Sequence, residues 1–246
     1  MWTNGPRRRR AVTDEESSDP LCRPKVVIAG TGRAGTTLLV QVLTDLGLDT
    51  GFDASAPIDT TVNAGLERSV EGRDAPRIVK SPDLSRTLGA ILDAGRARVD
   101  HVIIPIRDLD VAAASRIRNT KYGRDLHTWG GLLGTNRATR QRTVLTGMLY
   151  ELLYTIARHD LDHTFLVFPR FTTDWEYTHA QLSFLAPEVS ADQWREVLAA
   201  RVKPNLIHQQ PLSRFERGLT VAGTMYNRGF RRPLRGVGRL LRIGRP

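Results

Sequence analysis

A glycine-rich turn between an apolar run and an amphipathic segment carries the strongest chemical signal in the sequence. The run KVVIAG (25–30) leads into GTGRAGTT (30–37), which opens a helical pattern. Glycines let backbone N–H groups curl around an anion, and the N-terminus of the following helix adds the positive end of its dipole. Thr36 and Thr37 add hydroxyl donors. The pattern predicts a phosphate-binding loop with Arg33 inside it; a turn required only for packing is the alternative interpretation.

This loop departs from the patterns of common nucleotide-binding proteins. Gly30 and Gly35 have the glycine spacing of a Walker A loop, but Thr36 stands where that loop has its lysine. A dinucleotide fingerprint fits less well, because Gly35 comes one residue early for it. The sequence therefore disfavours an ordinary nucleotide kinase or dehydrogenase.

A second basic position, Arg107, follows the apolar run HVIIPI (101–106) and opens the string RDLDVAAASR. Taken alone, this string could be a capped helix with a buried Arg107–Asp110 pair, which is the alternative to a phosphate-binding role.

Apolar runs alternate with helical patterns between the two ends of the chain. Strands are predicted at 25–30, 77–81, 101–106 and 163–168, and helices at 36–47, 84–92, 110–120, 137–158 and 176–185. This alternation predicts right-handed βαβ units in a three-layer α/β domain, with a mostly parallel sheet flanked by helices. Residues 121–135 break the pattern with four glycines and are predicted to form an active-site loop.

The net charge of +10 is concentrated in one segment. Residues 228–246 hold seven arginines and no acidic residue, which leaves only +3 for the rest of the chain. The excess of basic residues therefore belongs mainly to this segment and not to the body of the chain, and no nucleic-acid partner is expected. Its arginines alternate with apolar residues, which suits weak peripheral contact with an anionic membrane; a solvated tail is the alternative. We predict a disordered segment at 1–24, one domain at 25–227 and this basic segment at 228–246.

Composition also bears on the compartment. The chain is 40% apolar and 25% charged, which is ordinary for a soluble globular protein. Cys22 is the single cysteine, so neither an intrachain disulfide nor a cysteine-based zinc site can form. Arg7 to Arg10 are not followed by an apolar core, so no secretory signal is visible. No apolar run is long enough for a membrane-spanning helix. A cytoplasmic protein is expected, with peripheral contact at the inner membrane surface through residues 228–246.

The first loop resembles the 5′-phosphosulfate loop of sulfotransferases that use 3′-phosphoadenosine 5′-phosphosulfate (PAPS). In that family a Lys or Arg precedes an [SA]-G-T-T segment, as Arg33 does here. The string that begins at Arg107 resembles the family's 3′-phosphate site, and residues 165–186 are similar to a later strand, turn and helix. Thr172 and Thr173 replace the glutamate of that turn. The resemblance covers about residues 25–186.

The resemblance implies a P-loop nucleotide-kinase or sulfotransferase-like fold, PAPS as the donor and no metal requirement. A Walker lysine binds β- and γ-phosphates, so a donor that lacks both does not require one. Arg33 would contact the bridge between phosphate and sulfate, and Arg107 and Ser115 would bind the 3′-phosphate. The donor-binding residues that the resemblance implies are Gly32, Arg33, Ala34, Gly35, Thr36, Thr37, Arg107 and Ser115. The sequence has no match to the family segment that closes over the adenine. Arg201 and Lys203 are the candidates for covering it.

Four further residues are candidates for the chemistry itself. Lys80 ends a strand at the edge where open α/β sheets bind ligands, and RIVKSP resembles a K-[ST]-P segment of some carbohydrate sulfotransferases. A lysine that snorkels from a strand end is the alternative. His127, in the glycine-rich loop, is the first candidate for the catalytic base; Asp83 and Glu67 are the others.

The function expected from the sequence is transfer of a sulfuryl group from PAPS to a hydroxyl or amine. The acceptor would be a carbohydrate, a lipid-linked molecule or a secondary metabolite. A P-loop small-molecule kinase and an inactive anion- or membrane-binding module are the alternatives. The sequence leaves the oligomeric state open.

Overall fold

The computed structural model describes residues 23–58, 65–125, 130–203 and 210–229, of which 227–229 are described by backbone alone. The predictions for residues 1–22, for His127 and for residues 230–246 concern parts of the chain outside these ranges.

Four parallel strands form one sheet in the order β2-β1-β3-β4. They are β1 (Lys25–Ile28), β2 (Ile78–Lys80), β3 (Val99–Ile106) and β4 (Asp162–Val167). In the central register, Ile28 pairs with Lys80 on one side and with Ile103 on the other. All four predicted strands are confirmed, and the mostly parallel sheet is parallel throughout these residues.

Eight α-helices accompany the sheet in the described residues. They are α1 (Thr36–Asp45), α2 (Leu84–Asp93), α3 (Leu109–Asn119), α4 (Gln141–Arg158), α5 (Arg170–Thr173), α6 (Trp175–Leu182), α7 (Ala191–Arg201) and α8 (Arg214–Gly229). The five predicted helices are present with ends shifted by a few residues, whereas α5, α7 and α8 were not predicted. Across the described ranges, none of these helices has both the length and the apolar character that a membrane crossing requires.

Two apolar clusters cover the two faces of the sheet. Val26 and Ile28 point into a cluster with α1, α6 and α7, where Trp194 is fully buried. Val27, one residue along the same strand, points the other way into a cluster with α2 and α4. Successive residues of a strand face opposite sides of the sheet, so these runs read as continuously apolar. The expected α/β arrangement of a sheet between helices is therefore confirmed.

The connections after β1 and β3 leave in opposite directions. The chain passes from β1 through α1 to β2 on one side, and from β3 through α3 and α4 to β4 on the other. Where neighbouring parallel strands diverge in this way, a crevice opens beyond their carboxyl ends, and open α/β sheets bind ligands there.

Candidate functional site

A cavity of about 330 Å³ lies beyond the carboxyl ends of the strands. Every strand contributes to it: the loop after β1, Lys80 at the end of β2, Arg107 after β3 and Phe168 after β4. The predicted site residues that line it are Gly32, Arg33, Gly35, Thr36, Thr37, Lys80, Arg107 and Ser115. Ala34 is fully buried and is not part of the lining.

The glycine-rich loop, residues 30–35, turns through left-handed backbone conformations. Gly32, Arg33 and Gly35 have φ values of 64°, 57° and 77°. Gly35 is the N-cap of α1 and offers no side-chain acceptor to the first turn. The N–H groups of that turn, which borders the cavity at Thr36 and Thr37, are therefore available to an anion, as at other helix N-termini.

Close packing explains two of the glycines. A Cβ on Gly35 would lie 2.7 Å from Cζ of Phe171 and 3.0 Å from Cδ2 of Phe168. A Cβ on Gly32 would lie 2.2 Å from Nη2 of Arg116. With their positive φ values, both positions are restricted to glycine by space as well as by backbone conformation.

Arg116 lies beneath this loop and is only 4% exposed. Its Nε and Nη2 donate to the carbonyl of Thr31 at 3.2 and 2.8 Å, and its Nη1 donates to the carbonyl of Gly131 at 2.7 Å. Burial, followed by the nearby charge of Arg33, lowers the pKa of Arg116 to about 10. The guanidinium is thus still protonated at neutral pH, and it joins the glycine-rich loop to the 130–133 segment.

Arg107 and Ser115 are both tied to Arg33. Nη1 of Arg107 donates to the carbonyl of Arg33 at 2.7 Å, and Nε of Arg33 donates to Oγ of Ser115 at 3.1 Å. Nη2 of Arg107 is buried and has no hydrogen-bond partner among the described residues. The guanidinium lies 4.7 Å from the centroid of the Phe168 ring, and burial, with a smaller contribution from Arg33, lowers its pKa to about 10. An unsatisfied buried donor at a cavity indicates a missing acceptor.

The alternative interpretation of the Arg107 string is confirmed in its capped helix and wrong in its Arg107–Asp110 pair. Asp108 caps α3 by accepting from the N–H of Val111 at 2.9 Å, so the helix is capped as that interpretation required. Asp110, however, forms an exposed ion pair with Arg142 at 2.7 Å. The Arg107 guanidinium is therefore not held by Asp110.

Lys80 is buried at the end of β2, with 4% of the residue exposed. Its Nζ donates to the carbonyl of Gly65 at 2.5 Å and to Oε1 of Glu67 at 3.2 Å. Burial lowers the pKa of Lys80, and the carboxylate of Glu67 opposes that shift. The snorkelling alternative is therefore wrong, because the ammonium is held inside the site.

Positive charge predominates around the cavity. Its basic lining residues are Arg33, Lys80, Arg107, Arg116, Arg201 and Lys203. Among the described residues, only Glu67 and Asp83 bring carboxylates to the lining. Arg201 is paired with Asp45 outside that lining, at 2.5 and 2.6 Å. Like charges repel strongly at short range in a partly dry site, so the arrangement favours a bound polyanion.

The other residues near the strand ends divide between the site and the scaffold. Residues 130–133, from the predicted active-site loop, line the cavity. Arg170 does not, because it pairs with Asp174 at 3.0 Å on the surface. Nε2 of His101 lies 2.9 Å from Oγ1 of Thr164, as suits a structural residue of β3. Arg116 and Phe168 were not predicted as site residues.

The described part of the chain holds no cluster of three or more His, Cys, Asp or Glu side chains suited to a metal ion. Comparison with protein-family models, with curated proteins and with solved structures gives no match for this chain. The parallel α/β sheet and its cationic cavity therefore carry the functional argument on their own.

Proposed function

We propose that this protein is a sulfotransferase of the P-loop-like class that moves a sulfuryl group from PAPS to a hydroxyl or amine. The acceptor would be a carbohydrate, a lipid-linked molecule or a secondary metabolite. The observation that carries the proposal is the cationic cavity at the ends of β1 and β3, built on a loop with Thr36 in place of a Walker lysine. A single cysteine, Cys22, favours a reducing cytoplasm as its compartment.

Two neighbouring groups of hydrogen-bond donors suit a donor substrate that carries anionic groups at both the 5′ and the 3′ position of its ribose. The first turn of α1, with the hydroxyls of Thr36 and Thr37, would hold the 5′-phosphosulfate. Nη2 of Arg107, which lacks an acceptor in the described residues, would donate to the 3′-phosphate beside Ser115. The residues present therefore fit the donor.

In the transfer step the acceptor oxygen or nitrogen attacks sulfur as the bond between sulfur and the phosphate oxygen breaks. That oxygen keeps the electron pair, and adenosine 3′,5′-bisphosphate leaves. Negative charge grows on the leaving phosphate, where Arg33 and Lys80 would stabilise it. The acceptor gives its proton to a base, as positioned general bases do in other group transfers.

Glu67 is the base that the described residues favour. Its carboxylate lies 3.2 Å from the Lys80 ammonium, and it retains 39% exposure at the cavity. That position combines contact with the site and access from solvent. Asp83 also lines the cavity and is a second candidate for the base. His127 lies outside the described residues, and its position in the loop is the basis for its prediction as a candidate base.

Ligand-induced stabilisation is the first test. Adenosine 3′,5′-bisphosphate in EDTA should raise the Tm of the protein, because a ligand that binds only the folded state stabilises it. The matched control is Arg195→Ala, which removes an exposed arginine paired with Asp192 far from the cavity lining. The control should keep the shift, and Arg107→Ala should lose most of it.

Activity is the second test. A screen with ³⁵S-labelled PAPS against small carbohydrates, lipid extracts and cell metabolites should yield a labelled product. Stabilisation by ATP and Mg²⁺, with none by adenosine 3′,5′-bisphosphate, would overturn the proposal in favour of a kinase. Stabilisation by the bisphosphate with no labelled product from any acceptor would favour the inactive anion-binding module.

A further inference from the structure

The 130–133 segment of the cavity lining has no regular secondary structure, and side chains from two helices hold its backbone in place. Nδ2 of Asn119, on α3, donates to the carbonyl of Gly130 at 3.2 Å. Gln141 is fully buried at the start of α4, where its Oε1 accepts from the N–H of Leu133 at 2.8 Å and its Nε2 donates to the Leu133 carbonyl at 3.1 Å. The N–H of Leu133 is therefore protected from exchange with solvent as long as the segment keeps this position.

Arg116 differs from these two side chains because it also contacts the glycine-rich loop. Its Nε and Nη2 donate to the carbonyl of Thr31 in that loop, and its Nη1 donates to the carbonyl of Gly131 in the 130–133 segment. A planar guanidinium can serve two carbonyls in different directions at once, and this one is buried. Displacing either carbonyl would leave part of a buried cation without an acceptor, which costs free energy. The positions of the loop and of the segment are therefore energetically coupled.

The 130–133 segment lies near the start of α2, on the side of the cavity that holds Lys80. A Cβ on the next residue, Gly134, would lie 3.4 Å from Nη1 of Arg86 in the first turn of α2. That helix begins four residues after Lys80, and Asp83 at its N-cap lines the cavity together with the segment. In the proposed reaction the sulfuryl group moves near Lys80, so an acceptor would meet the segment there.

We infer that Arg116 is a positioning residue that transmits donor binding from the glycine-rich loop to the 130–133 segment, so that the acceptor binds more tightly once the donor is in place. PAPS in the loop would fix the Thr31 carbonyl, and Arg116 would then hold the Gly131 carbonyl in its place. Because the segment is ordered when the donor binds, the acceptor loses less conformational entropy on binding, which gives positive cooperativity. The inference rests on the proposed function, since it uses the PAPS site, and it adds an order of binding for the two substrates.

Hydrogen exchange of the Leu133 amide, followed by NMR on the full chain, tests whether the segment responds to the loop. Adenosine 3′,5′-bisphosphate should slow the exchange of this amide about fivefold or more, which is the lower end of typical coupling between two sites. The N–H of Tyr177 donates to Oδ1 of Asp174 at 2.9 Å at the start of α6, outside the cavity lining, and its exchange rate should stay the same. This internal comparison separates local ordering from a general stabilisation by the ligand.

Two variants on α3 separate the link from the segment itself. Arg116→Lys keeps the charge but replaces the planar fork by a point charge, so the bisphosphate should no longer slow the exchange of the Leu133 amide. Asn119→Ala is the matched control, because it removes a bond to the same segment and leaves the bonds to the loop in place. Its Leu133 amide should exchange faster without ligand and should still slow when the bisphosphate binds. The Tm without ligand shows that each variant is folded, and the wild-type comparison of Leu133 with Tyr177 requires no variant.

Four results would overturn the inference. If the bisphosphate raises the Tm but leaves Leu133 exchange unchanged in the wild type, the loop does not act on the segment, and the proposed donor site stands without this link. Equal slowing at Leu133 and Tyr177 would show a general stabilisation only. Equal slowing of Leu133 in the wild type and in folded Arg116→Lys would show that another contact carries the coupling. If the bisphosphate neither raises the Tm nor slows exchange, the proposed function is wrong and the inference fails with it.

Discussion

Replacing Arg33 or Arg107 with alanine removes one cation from the same cavity, yet the two variants should fail in different kinetic constants. In the proposed complex Arg107 holds the 3′-phosphate, far from the reacting sulfur, so its contact is equal in the ground and transition states. Arg33 stands in the loop where charge grows on the leaving phosphate. Only a contact that strengthens in the transition state contributes to kcat.

The magnitudes follow from the surroundings of each group. Nη2 of Arg107 is buried and lacks a partner among the described residues, so its bond to a phosphate would be worth about 1.5–3 kcal/mol. Arg107→Ala should therefore raise the KM for PAPS about tenfold to one hundredfold. Arg33→Ala should lower kcat by a factor of about 10²–10³, which is typical for the loss of one group that stabilises developing charge.

Both constants come from initial rates with PAPS varied at a saturating concentration of the acceptor found in the ³⁵S screen. Calorimetric titration with adenosine 3′,5′-bisphosphate separates affinity from KM, because the product analogue carries the 3′-phosphate without the sulfuryl group. Arg195→Ala, an exposed arginine outside the cavity lining, controls for a general loss of positive charge.

The reverse pattern would refute this assignment. If Arg33→Ala only raises KM and Arg107→Ala only lowers kcat, the donor lies the other way along the sheet edge. If both variants only raise KM, the 3.1 Å contact between Arg33 and Ser115 persists in the complex, and both arginines serve the 3′-phosphate. Lys80 would then be the cation that faces the reacting sulfur.

Three other outcomes test the site and its scaffold. Gly35→Ala should lower the Tm by about 3–10 °C in thermal unfolding, because φ is 77° and Phe171 blocks a Cβ; Gly147→Ala, with open space in mid-helix, should leave it equal or slightly higher. Glu67→Gln should lower kcat about 10²–10⁴-fold, because a positioned general base contributes that much to a proton transfer, whereas an unchanged kcat would exclude Glu67 as the base. Hydrogen bonds from Arg118 hold the pKa of Glu216 at about 2, below its ordinary 4.5, so the pair stabilises the fold fully above pH 4.5 and loses this effect as the pH falls towards 2. The difference in unfolding free energy between wild type and Glu216→Gln should therefore vanish over that range; a difference that stays constant with pH would contradict the pairing.

The strands and most of the site could be predicted because their signals are local. KVVIAG and HVIIPI are apolar because both faces of a parallel strand are buried, and such runs are visible without any knowledge of the fold. The carboxyl ends of parallel strands meet at one edge, so residues just after a run, such as Arg107, were placed near the loop by topology alone.

Helices α7 and α8 were missed for a physical reason. The outward face of α8 is the apolar one, so its pattern could not be distinguished from that of an amphipathic tail. Helix α7 buries only two of its side chains, Trp194 and Leu198, which gives a weak helical period. Ser190 and Gln193 form a capping box at its start, and that motif was the available signal.

Arg116 was missed because its role depends on contacts made far along the chain. Its two carbonyl partners belong to Thr31 and Gly131, and no local pattern joins those residues to α3. The signal that could have found it is an arginine two positions after the small apolar run 112–114 in a helix that must pack closely. A cation at such a position is buried and must meet acceptors from elsewhere.

The contacts of Arg116 also decide how much positive charge a ligand would meet. Its three hydrogen bonds among the described residues go to backbone carbonyls, and Nη1 of Arg107 likewise donates to the carbonyl of Arg33. Part of the cationic cluster therefore shapes the loop, while Lys80 is shared between Gly65 and Glu67 and Nη2 of Arg107 has no acceptor among the described residues. Burial, followed by the charge of Arg33, lowers the pKa of both Arg107 and Arg116, so an anion in the cavity would offset a repulsion that the fold otherwise bears. Binding and loop order are thus coupled, and a polyanionic ligand should stabilise this domain more than its direct hydrogen bonds alone would.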